Sequence, residues 1–159
     1  DNFISLIKEA DLDGVITVDY PPEESKEFVK KLKQNSIDSI FLLSPTTDNE
    51  RIELIVDQAS GFLYYVSLKG VTGSANIDID EVAERVTNIR SFSNLPIGVG
   101  FGVRDAKTAK DVSLISDAVV IGSRIVQEIE NSNIEDLIDN IKKLMVEMKG
   151  SVKDEEILK

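Results

Sequence analysis

Glycine-bearing segments follow three successive apolar runs of the sequence, and their spacing predicts a phosphate site. They are residues 70–73 (GVTG), 100–102 (GFG) and 122–124 (GSR), the last leading directly into a helical pattern. A lone glycine after a strand usually only turns the chain, but three in succession favour a ligand site. Glycine at the carboxyl end of a strand lets a ligand approach the backbone closely. A helix amino terminus adds free N–H groups and a partial positive charge.

The composition removes several other kinds of chemistry. The sequence has no cysteine and no histidine, which excludes disulfides, thiolate or imidazole metal ligands and a Ser-His-Asp triad. An acid–base catalyst would therefore have to be Asp, Glu, Lys or Tyr. We expect no metal site.

Charge and hydropathy limit the partners. The net charge is −11, so neither a nucleic acid nor an anionic membrane surface is an expected partner. No apolar run reaches the roughly 18 residues that a membrane span needs, and no signal-peptide pattern opens the sequence. The expected location is cytoplasmic.

Short apolar runs alternate with amphipathic helical patterns along the sequence. Runs rich in Val, Ile, Leu and aromatic residues predict strands buried on both faces, as in a parallel sheet, at 14–19, 39–44, 62–68, 95–102 and 117–123. Helical periodicity predicts helices at 22–35, 48–59, 78–92, 106–115 and 134–148, with the end of another at 3–7. We expect one domain over residues 1–159, with a frayed tail at 150–159.

This βα alternation leaves two architectures open. One is a (β/α)8 barrel and the other is an open, flavodoxin-like parallel sheet. The number of strands alone fits the flavodoxin-like sheet better, because a complete barrel has eight βα units and about 250 residues. The glycine segments favour the barrel, which often carries a phosphate site at the loops after its last two strands.

Four segments together resemble one family. Residues 64–73 (YYVSLKGVTG) look like strand six and the flexible loop six of the tryptophan synthase alpha chain, and 98–104 (GVGFGVR) look like its strand seven. Residues 117–124 (DAVVIGSR) resemble strand eight, and 18–24 (VDYPPEE) resemble the end of strand four. The order and the gaps agree over nearly the whole chain. One departure is Leu68-Lys69, where some members carry a basic residue and a small one.

The resemblance implies a fold and an activity. The family is a TIM barrel and a lyase of tryptophan biosynthesis, which cleaves indole-3-glycerol phosphate to indole and glyceraldehyde 3-phosphate. It works with a pyridoxal-phosphate-dependent beta chain in a heterotetramer of two alpha and two beta chains. The alpha chain needs no cofactor of its own. The expected architecture is therefore part of a barrel, comprising strands four to eight.

The resemblance also implies which residues bind the substrate. Phosphate-binding positions of the family match Gly73, Gly102, Gly122 and Ser123. The residues expected beside the rest of the substrate are Tyr64, which faces inward from strand six, and the pocket-lining Phe101 and Ile121. Thr72 matches a loop threonine that positions a catalytic aspartate when the loop closes.

The family's two catalytic carboxylates lie on and just after strand two, upstream of the matching segments. We therefore expect no catalytic residue in this sequence, and Asp19, after strand four, is expected to be structural or to contact a partner subunit. With strands four and eight as open edges, 159 residues alone are not expected to form a closed monomeric barrel. A non-catalytic module that binds phosphate or contacts another subunit is the alternative function.

Two other families of phosphate-binding barrel share a phosphate site at the loops after their last strands. Ribulose-phosphate epimerases depend on metal and histidine ligands, and histidine is absent here. Indole-glycerol-phosphate synthases lack the Gly-Val-Thr-Gly loop pattern. Both are less favoured than the tryptophan synthase alpha chain.

Overall fold

The computed structural model describes residues 2–67, 78–100 and 102–152. The strands are β1 (Gly14–Ile16), β2 (Asp38–Leu43), β3 (Leu63–Val66), β4 (Ile97–Gly100) and β5 (Ala118–Val120). The helices are α1 (Asn2–Glu9), α2 (Pro22–Gln34), α3 (Asn49–Val56), α4 (Ile79–Arg90), α5 (Ala106–Ser113), α6 (Ser123–Asn131) and α7 (Leu137–Ser151).

The described strands form one parallel sheet in the order β1-β2-β3-β4-β5. A flavodoxin-like sheet has its first two strands exchanged, in the order 2-1-3-4-5, so that alternative is wrong. Consecutive parallel pairing is the order in which a barrel is wound, and the expected partial barrel is confirmed. Within the described ranges β1 and β5 each pair on one side, so the sheet does not close on itself.

The main core fills the space between one face of the sheet and the helices. Alternate strand residues, such as Leu63 and Tyr65 on β3 and Ile97 and Val99 on β4, are fully buried there. Helix side chains that meet them include Ile52, Val82, Val86, Ile89, Ala109 and Val112. The residues between them in sequence, which include Tyr64 and Gly98, face the other, concave side, because successive strand side chains point to opposite faces.

A second cluster packs α1 against α2 and the first strand. Ile4 and Ile7 of α1 pack with Leu32 and Ile37. Aromatic rings extend this contact: the Phe3 and Phe28 centroids, and the Tyr20 and Phe28 centroids, each lie 5.9 Å apart.

The single domain over residues 1–159 stays a prediction. Helix α7 runs through residues 150 and 151, which the sequence pattern assigns to the frayed tail.

Aspartate side chains begin three consecutive helices. Asp48 accepts a hydrogen bond from the Arg51 N–H of α3 at 2.8 Å. Asp78 and Asp105 cap α4 and α5 in the same way. Each carboxylate satisfies an amide that has no partner within its helix and lies near the positive end of the helix dipole.

Over the described ranges, no helix has the length and apolar character required to cross a membrane. In the same ranges no group of three or more Asp and Glu side chains is arranged to hold a metal ion.

The cap at Asp105 generates a pH-dependent prediction. The Thr108 backbone N–H, followed by its hydroxyl, lowers the pKa of the Asp105 carboxyl below its usual value of 3.8. A lowered pKa stabilises the fold above the unfolded-state pKa and loses that contribution as the pH falls. Asp105→Asn keeps a capping side chain without the charge. The substitution should lower the free energy of unfolding by at most about 0.5 kcal/mol at pH 7, because the carboxylate is exposed and its interactions are screened by water.

Urea unfolding of both proteins at pH 7 and at pH 3 measures this effect. The difference in free energy of unfolding between the two proteins should be smaller at pH 3, because the unfolded-state carboxyl is then mostly protonated and the contribution of the charge is lost as the pH falls toward the lowered pKa of the folded state. A difference that is the same at both pH values would contradict the role given to the charge of Asp105.

Candidate functional site

The glycine segments after β4 and β5 meet at one edge of the sheet because the strands are parallel and in register. Gly100 pairs with Val120, and Gly102 and Gly122 each follow that pair by two residues. Ser67 extends the pairing of β3 with β4, since its N–H and its hydroxyl donate to the Gly100 carbonyl at 3.0 and 2.9 Å. The carboxyl ends of β3, β4 and β5 therefore form one continuous rim.

Gly102 and Gly122 at this rim differ in backbone conformation. Gly102 has φ +82°, a left-handed conformation that residues with a side chain rarely adopt. Gly122 has φ −117°, outside the left-handed region, so its φ does not select glycine as that of Gly102 does. A Cβ added at Gly122 would have no described atom within 4 Å, so the space in front of it is open within the described ranges. Packing within the described structure does not require glycine at position 122.

Helix α6 starts at this open space. The Ile125 and Val126 N–H groups donate to the Gly122 carbonyl at 2.9 and 3.1 Å, which leaves the amides of Ser123 and Arg124 at the first two helical positions. No side chain of the described residues caps this terminus, in contrast to α3, α4 and α5. Unfilled amides at a helix amino terminus, reinforced by the helix dipole, can bind an anion.

The charged side chains near this terminus add little positive field. Arg124 forms an ion pair with Glu128 at 2.8 Å, one turn along α6. Arg104, after β4, is exposed to solvent. Attraction of an anion at this rim would therefore come mainly from backbone dipoles.

Tyr64 lies on the concave face of β3, directly over β4. A Cβ added at Gly100 would clash with the Tyr64 hydroxyl oxygen and would lie 2.8 Å from Tyr64 Cζ and 3.0 Å from Val120 Cβ. The missing side chain at Gly100 is therefore what admits the Tyr64 ring. Burial raises the pKa of the Tyr64 hydroxyl above its usual 10.0, so this group is neutral at physiological pH and can donate a hydrogen bond.

Ile121 is placed apart from the other predicted site residues. Its side chain packs against the main core on the helix side of the sheet. It borders a groove beside Met145 and Met148 of α7. Ile121 thus occupies the opposite face of the sheet from Tyr64, and its packing gives no support to a pocket-lining role.

Thr72, Gly73 and Phe101 lie outside the described residues, so their assignment stays a prediction. Ser123, the first residue of α6, is exposed at the rim beside Gly122. The structure therefore brings together Gly102, Gly122 and Ser123, with Tyr64 on the neighbouring strand.

Sequence reasoning missed a cavity of about 510 Å³ at the carboxyl ends of β1, β2 and β3. Leu42, Ser44 and Val66 border it, together with Asp19 and Tyr20. Asp19 has φ +55° and turns the chain between β1 and α2, which supports a structural role for it. The signal in the sequence was the position of these residues, which lie in the last two positions of a strand or after its end.

A family model described as tryptophan synthase alpha chain matches residues 1–155. The chain belongs to the tryptophan synthase alpha chain family. Curated relatives of that name include one from Janthinobacterium sp. (strain Marseille), which is 61% identical over 139 residues. Another, from Herminiimonas arsenicoxydans, is 62% identical over 130 residues. These matches cover 87% and 82% of this chain but 52% and 49% of the relatives, so the chain spans about half their length.

Solved structures of tryptophan synthase have the same fold. The alpha subunit from Legionella pneumophila str. Paris is 31% identical with a TM-score of 0.83, over 95% of this chain and 56% of that one. A tryptophan synthase structure from M. tuberculosis, titled as its aminoacrylate-bound form, is 26% identical with a TM-score of 0.81. It covers 96% of this chain and 55% of that one.

The uncapped start of α6 gives a prediction specific to this member of the tryptophan synthase alpha chain family. Gly122→Asp should weaken binding of glycerol 3-phosphate at least tenfold, because a fixed carboxylate would occupy the open space and repel the anion. Stability should stay within about 1 kcal/mol, since aspartate is a favourable residue at a helix start. Calorimetric titration measures the affinity and urea unfolding measures the stability.

Gly122→Asn is the matched control because it has nearly the same shape without the charge. It should lose less affinity than the aspartate variant. Unchanged affinity in both variants would remove Gly122 from the binding site. Gly102 is a poorer probe, because any side chain at φ +82° strains the backbone whether or not a ligand binds.

The contact between Tyr64 and Gly100 gives a second prediction. Gly100→Ala should destabilise the protein by about 1–3 kcal/mol, since the added methyl group displaces the Tyr64 ring. Gly98→Ala is the graded control, because its Cβ would lie 3.3 Å from Phe62 Cε2, a closeness that a small shift can relieve. Urea unfolding compares the two. A larger loss for Gly98→Ala would contradict the described packing.

Proposed function

We propose that these residues supply the phosphate site of a tryptophan synthase alpha chain that cleaves indole-3-glycerol phosphate to indole and glyceraldehyde 3-phosphate. The observation that carries the proposal is the uncapped amino terminus of α6, which starts beside Gly122 on the same rim as Gly102. Family membership supplies the substrate, and this terminus supplies a place for its phosphate.

The phosphate is bound by backbone groups in this proposal. The Ser123 and Arg124 amides donate to its oxygens, and the Ser123 hydroxyl adds a third donor. The absence of a side chain at Gly122 lets the phosphate approach those amides. By resemblance, Gly102 and Gly73 line the remaining sides. A helix amino terminus attracts a dianion even in a chain whose net charge is −11.

The remainder of the substrate extends from the phosphate toward the other strands. Tyr64 lies beside this path on β3, and its neutral hydroxyl serves as a hydrogen-bond donor rather than as a base. Beyond it, the cavity of about 510 Å³ is bordered by apolar Leu42 and Val66 and has room for a bicyclic ring. An apolar cavity with a few polar groups is typical of a small-molecule site.

The cleavage step needs groups beyond those assigned here. Breaking the bond between the indole ring and the glycerol carbon requires a proton for the ring carbon and removal of a proton from the adjacent hydroxyl. By resemblance, two carboxylates on and after strand two carry out those transfers. Thr72 is proposed to position one of them. The described residues bind and orient the substrate.

The proposed partner is a tryptophan synthase beta chain that carries pyridoxal phosphate and takes up the indole. The family's alpha chain requires no cofactor of its own, and the proposed assembly is a heterotetramer with two chains of each kind. Cytoplasmic location is proposed with it, since both chains would act on small metabolites.

A second candidate is a module that binds phosphate or contacts a partner without turnover. The matching segment of the curated relatives is about half their length, and by resemblance the catalytic carboxylates lie in the other half. In its phosphate-binding form this candidate shares the phosphate site and differs from the enzyme in lacking the proton-transfer groups.

Indole release measured beside glycerol 3-phosphate binding separates these candidates. The assay uses the protein from its natural source, with any residues that precede or follow this sequence retained. Release of one indole per indole-3-glycerol phosphate, with phosphate binding weakened by Gly122→Asp, is the expected result. Binding without indole release would favour the module. Failure of glycerol 3-phosphate to bind would contradict the enzyme and the phosphate-binding form of the module, and would leave only a module that contacts a partner.

A further inference from the structure

The loop at residues 44–47, which connects β2 to α3, is tied to helix α4 by one arginine. Arg85 Nη2 donates to the Pro45 carbonyl at 2.9 Å and to the Thr47 carbonyl at 2.6 Å. These two carbonyls lie on either side of Thr46. A single guanidinium nitrogen therefore holds two carbonyls of this turn, which lies about 40 residues before Arg85 in the chain.

Arg85 is partly buried, which strengthens this contact. Its Nε is buried and has no hydrogen-bond partner within the described ranges, so part of the guanidinium is shielded from water. Hydrogen bonds from a charged donor are shorter and stronger than neutral ones. Removing the guanidinium would leave the Pro45 and Thr47 carbonyls without this donor.

The loop that Arg85 fixes carries three linked hydroxyl groups. The Ser44 N–H donates to Thr47 Oγ1 at 3.0 Å. Ser44 Oγ lies 2.9 Å from Thr46 Oγ1 and 3.2 Å from Thr47 Oγ1. Ser44 and Thr47 also border the cavity at the ends of β1, β2 and β3. The orientation of these hydroxyls at the cavity wall therefore depends on the shape of the turn.

We propose that Arg85 is a positioning residue: it holds the Ser44 and Thr47 hydroxyls in place to bind a polar group of the molecule in this cavity. This proposal rests on the proposed function, in which that group belongs to the indole-glycerol portion of the substrate. Arg85 acts through the loop and does not border the cavity itself. If the Arg85 hydrogen bonds were only structural, their loss would lower the free energy of unfolding without a selective effect on KM.

Arg90 offers a matched control on the same helix. It forms an ion pair with Asp117 at 3.1 Å, and both side chains are about half exposed. Asp117 precedes β5, so this pair lies at the opposite edge of the sheet from the cavity. Arg90→Met removes an arginine from α4 without affecting loop 44–47.

The experiment compares Arg85→Met, Arg85→Lys and Arg90→Met with the unaltered protein, in its natural length. Steady-state cleavage of indole-3-glycerol phosphate gives KM and kcat. Hydrogen exchange at the Ser44 amide, which donates within the loop, reports the loop directly and needs no substrate. Calorimetric binding of glycerol 3-phosphate monitors the phosphate site separately.

Arg85→Met should raise KM about tenfold with kcat within twofold, and should speed Ser44 amide exchange about tenfold. Arg85→Lys should recover part of both effects, because an ammonium group can still donate to a carbonyl. Arg90→Met should leave KM, kcat and Ser44 amide exchange unchanged. The affinity for glycerol 3-phosphate should be unchanged in all the variants. An unaltered KM in Arg85→Met, or equal effects of Arg85→Met and Arg90→Met, would overturn the positioning role. Absence of cleavage and of phosphate binding in the unaltered protein would instead overturn the proposed function.

Discussion

Parallel pairing of the strands in consecutive order is the constraint on which the site depends. Each βα unit returns the chain to the same edge of the sheet, so every strand ends on one rim. The register that pairs Val66 with Gly100, and Gly100 with Val120, brings Ser67, Gly102 and the start of α6 to that rim. A shift by one residue would turn Tyr64 into the helix layer and Tyr65 onto the concave face.

The sequence was most informative where burial is decided by one element alone. Runs of β-branched and aromatic residues located all the described strands, and apolar spacing located α2 to α5 to within a few residues. Element ends were less predictable because local conformation decides them. Asp19, with φ +55°, follows a strand that ends at Ile16 rather than at residue 19. Helix α7 begins at Leu137 rather than at 134, and Ile134 is 87% exposed in the turn before it.

The features that the sequence did not reveal are contacts between elements distant along the chain. The sequence predicts Gly100 as part of a ligand-binding glycine segment, but with β3 and β4 in register the Tyr64 ring fills the place of its side chain. Arg85 looks like a solvated helix residue until α4 is packed beside the turn after β2. Neither periodicity nor composition contains this information, because each contact joins residues more than 30 positions apart.

The difference between Gly102 and Gly122 bears on how an acidic protein could hold a phosphate. Gly102 is explained by its own backbone angle, so its presence says little about a ligand. Gly122 has a negative φ and no described atom in the place of a side chain, and the amides that follow have no capping side chain among the described residues. Arg124 is already paired with Glu128. Attraction at this rim therefore rests on oriented amides, whose field acts over the first turn of a helix and does not depend on net charge. An overall charge of −11 is compatible with an anion site built in this way.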